Sequence, residues 1–213
     1  LIDLKNSKEK KSNTRALAYQ LYENNGVVKR EYVTDYLERL DQEDRKNLRS
    51  IGVKFGRYHI FLFKLFKPSS VSLRILLWKC FNEKNLNLFP PTFGLNFLEE
   101  KEKINKDFML LCGFEKFDKF FVRIDILERL FILIFNSNKE GKNQIKLTPE
   151  MLNLLGCNKD NFLKLLQSMG YNTFKKDKDH YFKYDSNKKR FKKTTKKLNI
   201  NNPFEILNQL NLK

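Results

Sequence analysis

Apolar residues recur along this chain with helical spacing in some stretches and in tight runs in others. Short polar or glycine-containing breaks separate them. After a polar lead from Lys5 to Ser12, Leu17, Leu21 and Tyr22 mark a helix that Thr14 is placed to cap and Asn24-Asn25-Gly26 ends. A second helix is expected from Arg30, with Val33, Tyr36, Leu37 and Leu40 as its stripe. A third starts at Asp41, with acids in its first turn and Arg45, Lys46 and Arg49 later, the order that suits a helix dipole. Phe61 to Phe66 fits helix or strand equally. Lys67-Pro68-Ser69-Ser70 breaks it, and Ser69 or Ser70 is expected to cap a helix from Val71 to Phe81 that is apolar enough to read as buried. Asn82 to Asn96, with Pro90-Pro91, reads as a linker and a domain boundary.

The downstream half is more sharply punctuated. Phe114 to Val122 alternates aromatic and charged residues as short strands do, and Ile124, Leu127, Leu130, Phe131 and Ile134 share one helix face. Ile145 to Leu147 is a brief strand candidate. Thr148 and Pro149 then open a short helix, Gly156 turns the chain, and Asn158 opens another helix that ends at Gly170. Tyr171 to Tyr184, with a charged tip at Lys175 to Asp179, reads as an aromatic hairpin. Helix, strand, helix, turn, helix, hairpin is the layout of a winged helix-turn-helix. The expected fold is therefore mainly α. Residues 1–96 form a helical module carrying Gly52-Val-Lys-Phe-Gly-Arg-Tyr-His-Ile-Phe61, residues 97–184 a winged-helix-like domain, and residues 185–213 a basic tail with a short helix from Asn202 to Leu207.

Charge changes the picture most. With 42 Lys and Arg against 25 Asp and Glu, the 213-residue chain carries a formal +17, which points to a polyanion and first to nucleic acid. On the winged-helix reading Lys159, Asn161, Lys164, Gln167 and Ser168 lie on the polar side of the groove-reading helix, and Lys175, Lys176, Lys178 and His180 occupy the wing. Lys188, Lys189 and Arg190 lead a basic run suited to phosphates. Lys54, Arg57 and His59, set among Phe55, Tyr58 and Phe61, form a further candidate surface of polar heads on an aromatic base. Gly52 and Gly56 imply a left-handed backbone or close approach of another group there. Each pattern has a plain alternative, a buried turn, a solvated helix face or a solvated tail.

Cys80, Cys112 and Cys157 are odd in number and far apart, as in a reduced cytoplasmic protein, and with two histidines the spacing offers no metal site. No apolar run is long enough to span a membrane. There is no phosphate-binding GxxxxGK[ST] loop and no nucleophile elbow, so no catalytic residue and no cofactor is assigned to this segment.

Leu48 to Leu62, Leu65 to Pro68 and Leu73 to Trp78, followed in order by Val122 to Leu130, Leu147 to Gly156 and Asn202-Pro203-Phe204, resemble the C-terminal region of bacterial superfamily 2 helicase-related proteins, relatives of the mitochondrial RNA-degradosome helicases. The resemblance implies that ATP- and Mg2+-dependent motor domains precede these residues. They would then be an accessory nucleic-acid-binding tail partnered by its own motor. The alternatives are a structural or protein-interaction module that braces that motor or recruits a nuclease partner, and a free-standing transcription factor.

Overall fold

A computed structural model describes Ile2 and residues 12–82, 88–100, 104–137, 144–176 and 179–184. The first helix, α1 (Ser12–Glu23), buries Leu17, Ala18 and Leu21. Thr14 lies inside it, fully buried, and is not its cap. Asn25 and Gly26, at φ 53° and 80°, turn the chain into β1 (Val27–Lys29). A turn of 3-10 helix (Arg30–Tyr32) leads to α2 (Thr34–Glu38) and α3 (Gln42–Ser50). Asp41 and Asp44 form a reciprocal capping box at the start of α3. Gly52, at φ 100°, releases β2 (Val53–Phe55), which returns as β3 (His59–Leu62). β3 lies at the centre of an antiparallel sheet ordered β1-β3-β2.

Two more groups of elements repeat that succession. The second is α4 (Pro68–Phe81), β4 (Phe97–Glu99), α5 (Lys106–Leu111), β5 (Phe114–Phe117) and β6 (Phe120–Arg123), with sheet order β4-β6-β5. The third is α6 (Ile124–Ser137), β7 (Ile145–Lys146), α7 (Pro149–Leu155), α8 (Lys159–Ser168), β8 (Tyr171–Lys176) and β9 (Asp179–Tyr184), with order β7-β9-β8. In every sheet the last strand is central and pairs with both others.

This overturns the expectation of a mainly α protein with one small hairpin on a winged helix. Among the described residues eight α-helices alternate with three three-stranded antiparallel sheets, so the class is mixed α/β throughout, including residues 1–96. The physical reason is strand length. β1, β2 and β4 hold three residues each, too few to show a period of two. Phe61 and Leu62 end β3, and Phe63–Phe66 is a 3-10 turn.

Pro68 takes the first position of α4, and neither Ser69 nor Ser70 caps it. The helix is not buried all round. Val71 and Ile75 pack with Phe108, Met109, Phe114 and Phe121, so one core draws on residues before and after the 82–96 connection, while Leu73, Leu76, Leu77 and Phe81 face water. A separate core gathers α1, α2, α3 and their sheet around Leu21, Leu48 and Ile60. The third and largest sits under α6, α7 and α8.

Candidate functional site: the Gly56–His59 turn and its groove

The turn joining β2 to β3 closes on itself through Gly56 N–H donating to the His59 carbonyl at 2.8 Å. Arg30 braces it, its Nη1 donating to the Gly56 carbonyl at 2.9 Å and its backbone N–H to the Tyr58 carbonyl at 2.8 Å. Three successive amides then point outward from the sheet and converge on the Glu128 carboxylate of α6. Arg57 N–H donates to Oε2 at 2.5 Å, and Tyr58 and His59 N–H donate to Oε1 at 3.1 and 2.9 Å. Such a concavity of amides is an anion site, and here the anion comes from the protein itself. A Cβ on Gly56 would lie 2.3 Å from the Glu128 carboxyl carbon. Close approach, not backbone sign, explains this glycine, whereas φ explains Gly52. Tyr58 completes the grip by packing on Phe131, with ring centroids 4.3 Å apart.

His59 is only 2% exposed, so it is not available to a nucleic-acid strand. Its Nε2 lies 3.1 Å from Glu115 Oε2 on β5, and its Nδ1 is 3.5 Å from Glu128 Oε1, a charge contact too long for a good hydrogen bond. Lys29 Nζ reaches the other Glu115 oxygen at 2.8 Å. Burial alone would strip the imidazole of its proton, but the Glu115 hydrogen bond and the charges of both carboxylates outweigh it and raise the His59 pKa above 6.5. Burial likewise opposes ionisation of Glu115, and His59 with Lys29 outweighs it, holding that carboxyl below 4.5. The four groups are a mutually neutralised cluster joining all three repeats.

Beside the turn lies an open groove of about 520 Å³ between β2–β3 and α6. Lys54, Arg57 and Arg129 bring cations to it, and Phe63, Ile132 and Phe135 bring apolar surface. Lys54 and Arg57 are expected here from the sequence. Arg129 and Phe135 are not, since they belong to a helix over seventy residues further on and no local pattern links them to the turn.

The other candidates are placed elsewhere. Lys159 and Lys164 are exposed on α8, and Lys175 and Lys176 on β8. None of these four makes an ion pair with another described residue. Gln167 is already engaged, donating to Thr173 Oγ1 at 2.9 Å, and Asn161 reaches Glu99 at 3.5 Å. Ser168 donates to the Leu165 carbonyl. His180 is half-buried opposite Lys175 in the hairpin. Lys178, Lys188, Lys189 and Arg190 lie outside the described residues, as does the segment from Asn202 to Leu207. The structure thus brings Lys54 and Arg57 together at one site, keeps the α8 and β8 lysines on another element pair, and removes His59 from the surface.

Among the described residues no His, Cys, Asp or Glu cluster is arranged to hold a metal ion, and no helix is long and apolar enough to cross a membrane. Comparison with family models, with curated proteins and with solved structures finds no match to this chain.

Proposed function

We propose that these residues are an accessory nucleic-acid-binding region of a larger, ATP-driven helicase. The observation that carries this reading is that Lys54, Arg57, Lys159, Lys164, Lys175 and Lys176 are exposed without an ion-pair partner among the described residues, in a chain of net charge +17. Folded proteins commonly scatter both signs over their surface, and an unneutralised excess favours a phosphate backbone. The helicase setting is supported by the sequence resemblance alone. ATP and Mg2+ would be used by the motor, not by these residues, and the cytoplasm is the expected compartment.

Fluorescence anisotropy with labelled DNA and RNA at low ionic strength tests the reading. Binding should weaken steadily with salt, with a slope of about 0.9 per duplex phosphate contacted. Absence of binding to any of these oligonucleotides at low salt would refute it.

A second reading, a module that docks on its own motor, is favoured by α4. Leu76 is 59% and Phe81 86% exposed on a helix that also leaves Leu73 and Leu77 in water. Co-purification with the motor region that survives high salt and nuclease, and is lost in Leu76→Glu, would support it.

A further inference from the structure

The groove beside the Gly56–His59 turn differs in kind from the lysines on α8 and β8. Phe135 is 71% exposed, Ile132 60% and Phe63 39%, so one cleft holds out three large apolar side chains to water. The cations of Lys54, Arg57 and Arg129 sit among them, and none makes an ion pair with another described residue. Two carboxylates also line the groove, but neither serves these cations. Glu128 is taken up by three amides, and Asp125 by the guanidinium of Arg123, with both contacts at 2.7 Å. The Lys54 ammonium stands 5.9 Å from the centroid of the Phe63 ring, which places positive charge beside an exposed aromatic face.

A ligand complementary to this surface is anionic and offers flat apolar faces. Nucleic acid has both properties, but a duplex hides its base faces within its own stack and presents only phosphate and groove edges. An unpaired strand presents both at once. The groove volume is that of a small-ligand pocket, room for about one or two nucleotides, and not that of a channel for a double helix.

We propose that the groove between β2–β3 and α6 seats a short stretch of unpaired nucleic acid, with bases against Phe63 and Phe135 and phosphates near Lys54, Arg57 and Arg129. The proposal rests on the nucleic-acid reading above and narrows it to single strands at this site. The lysines of α8 and β8 contribute charge without distinguishing one strand from two.

The test compares anisotropy titrations of a labelled oligothymidylate and a duplex of equal length, using the whole 213-residue chain. Phe63→Ala combined with Phe135→Ala removes both rings from positions that face water, and circular dichroism checks that the fold is kept. Single-strand affinity should fall tenfold or more, with duplex affinity within about twofold of wild type. Arg129→Gln should lower the single-strand salt slope by about 0.7. An unchanged single-strand affinity in the double variant, or an equal loss for both ligands, overturns the groove proposal while leaving the wider reading standing. Wild type that binds neither ligand overturns both. A wild-type chain that sediments as a dimer and becomes monomeric in the double variant puts a second copy in the groove and overturns the proposal as well.

Discussion

The Gly56–His59 turn and the β8–β9 hairpin stand at the same place in sheets of the same strand order, and both are built from basic and aromatic residues. Their polar groups are used differently. In the first, amides and imidazole are turned inward against Glu128 and Glu115. In the second, Lys175 and Lys176 stay in water, while Phe174 and Tyr181 stack on each other across the strands. A basic, aromatic hairpin therefore has no fixed role. What decides it is whether a carboxylate from elsewhere in the chain arrives to meet it.

That contrast is open to attack by mutation. Glu128→Ala leaves three amides without their acceptor and removes one of the two carboxylates beside His59, and should cost about 3–5 kcal/mol in urea unfolding. A loss under about 1 kcal/mol would show that the turn is not held by this carboxylate. Gly56→Ala forces the same carboxylate away and should cost about 1–3 kcal/mol. Unchanged stability there would mean that α6 shifts freely, which the tight contacts argue against.

Titration gives a smaller effect with a defined sign. His59 holds its proton more tightly folded than unfolded, so its contribution is complete below pH 6.5 and is lost as pH rises through the higher folded pKa. Glu115 runs the other way. Its contribution is present above pH 4.5 and is lost as pH falls through the lower folded pKa. Thermal unfolding should show a stability plateau between those limits, and His59→Gln should flatten the fall on its alkaline side. A wild-type curve that rises from pH 6.5 to 8 would contradict the assignment. The smallest effect on stability belongs to the hairpin. Lys175→Glu with Lys176→Glu should change unfolding by less than about 0.5 kcal/mol, yet weaken nucleic-acid binding about tenfold.

Much of the local structure was legible in the sequence, and the assembly was not. Pro149, the αL Gly156 and the Asn158 cap announced α7 and α8, because those residues act on their own backbone. Asp41 announced α3 in the same way, and the alternation from Phe114 to Val122 announced β5 and β6. The three-residue strands were invisible, since Val27-Val28-Lys29 is a strand only by pairing with β3. The apolar run of α4 reads as buried, although only Val71 and Ile75 are fully covered, with Trp78 packed in part against Phe108. At the turn, Gly56 signalled close approach correctly, but nothing near it in sequence named Glu128, seventy residues away. His59 reads as a surface group for the same reason. Its character is set by Glu115 and Glu128, and long-range neighbours leave no mark on local pattern.

One imidazole and two carboxylates belong to three different repeats, and this ties the fates of those repeats together. Sheets with strands of two to six residues are marginal by themselves. Peeling any one repeat away would break contacts of this buried cluster, so each opening carries a penalty shared among the repeats. Local opening of any one short sheet is thereby opposed by contacts that reach into the other repeats.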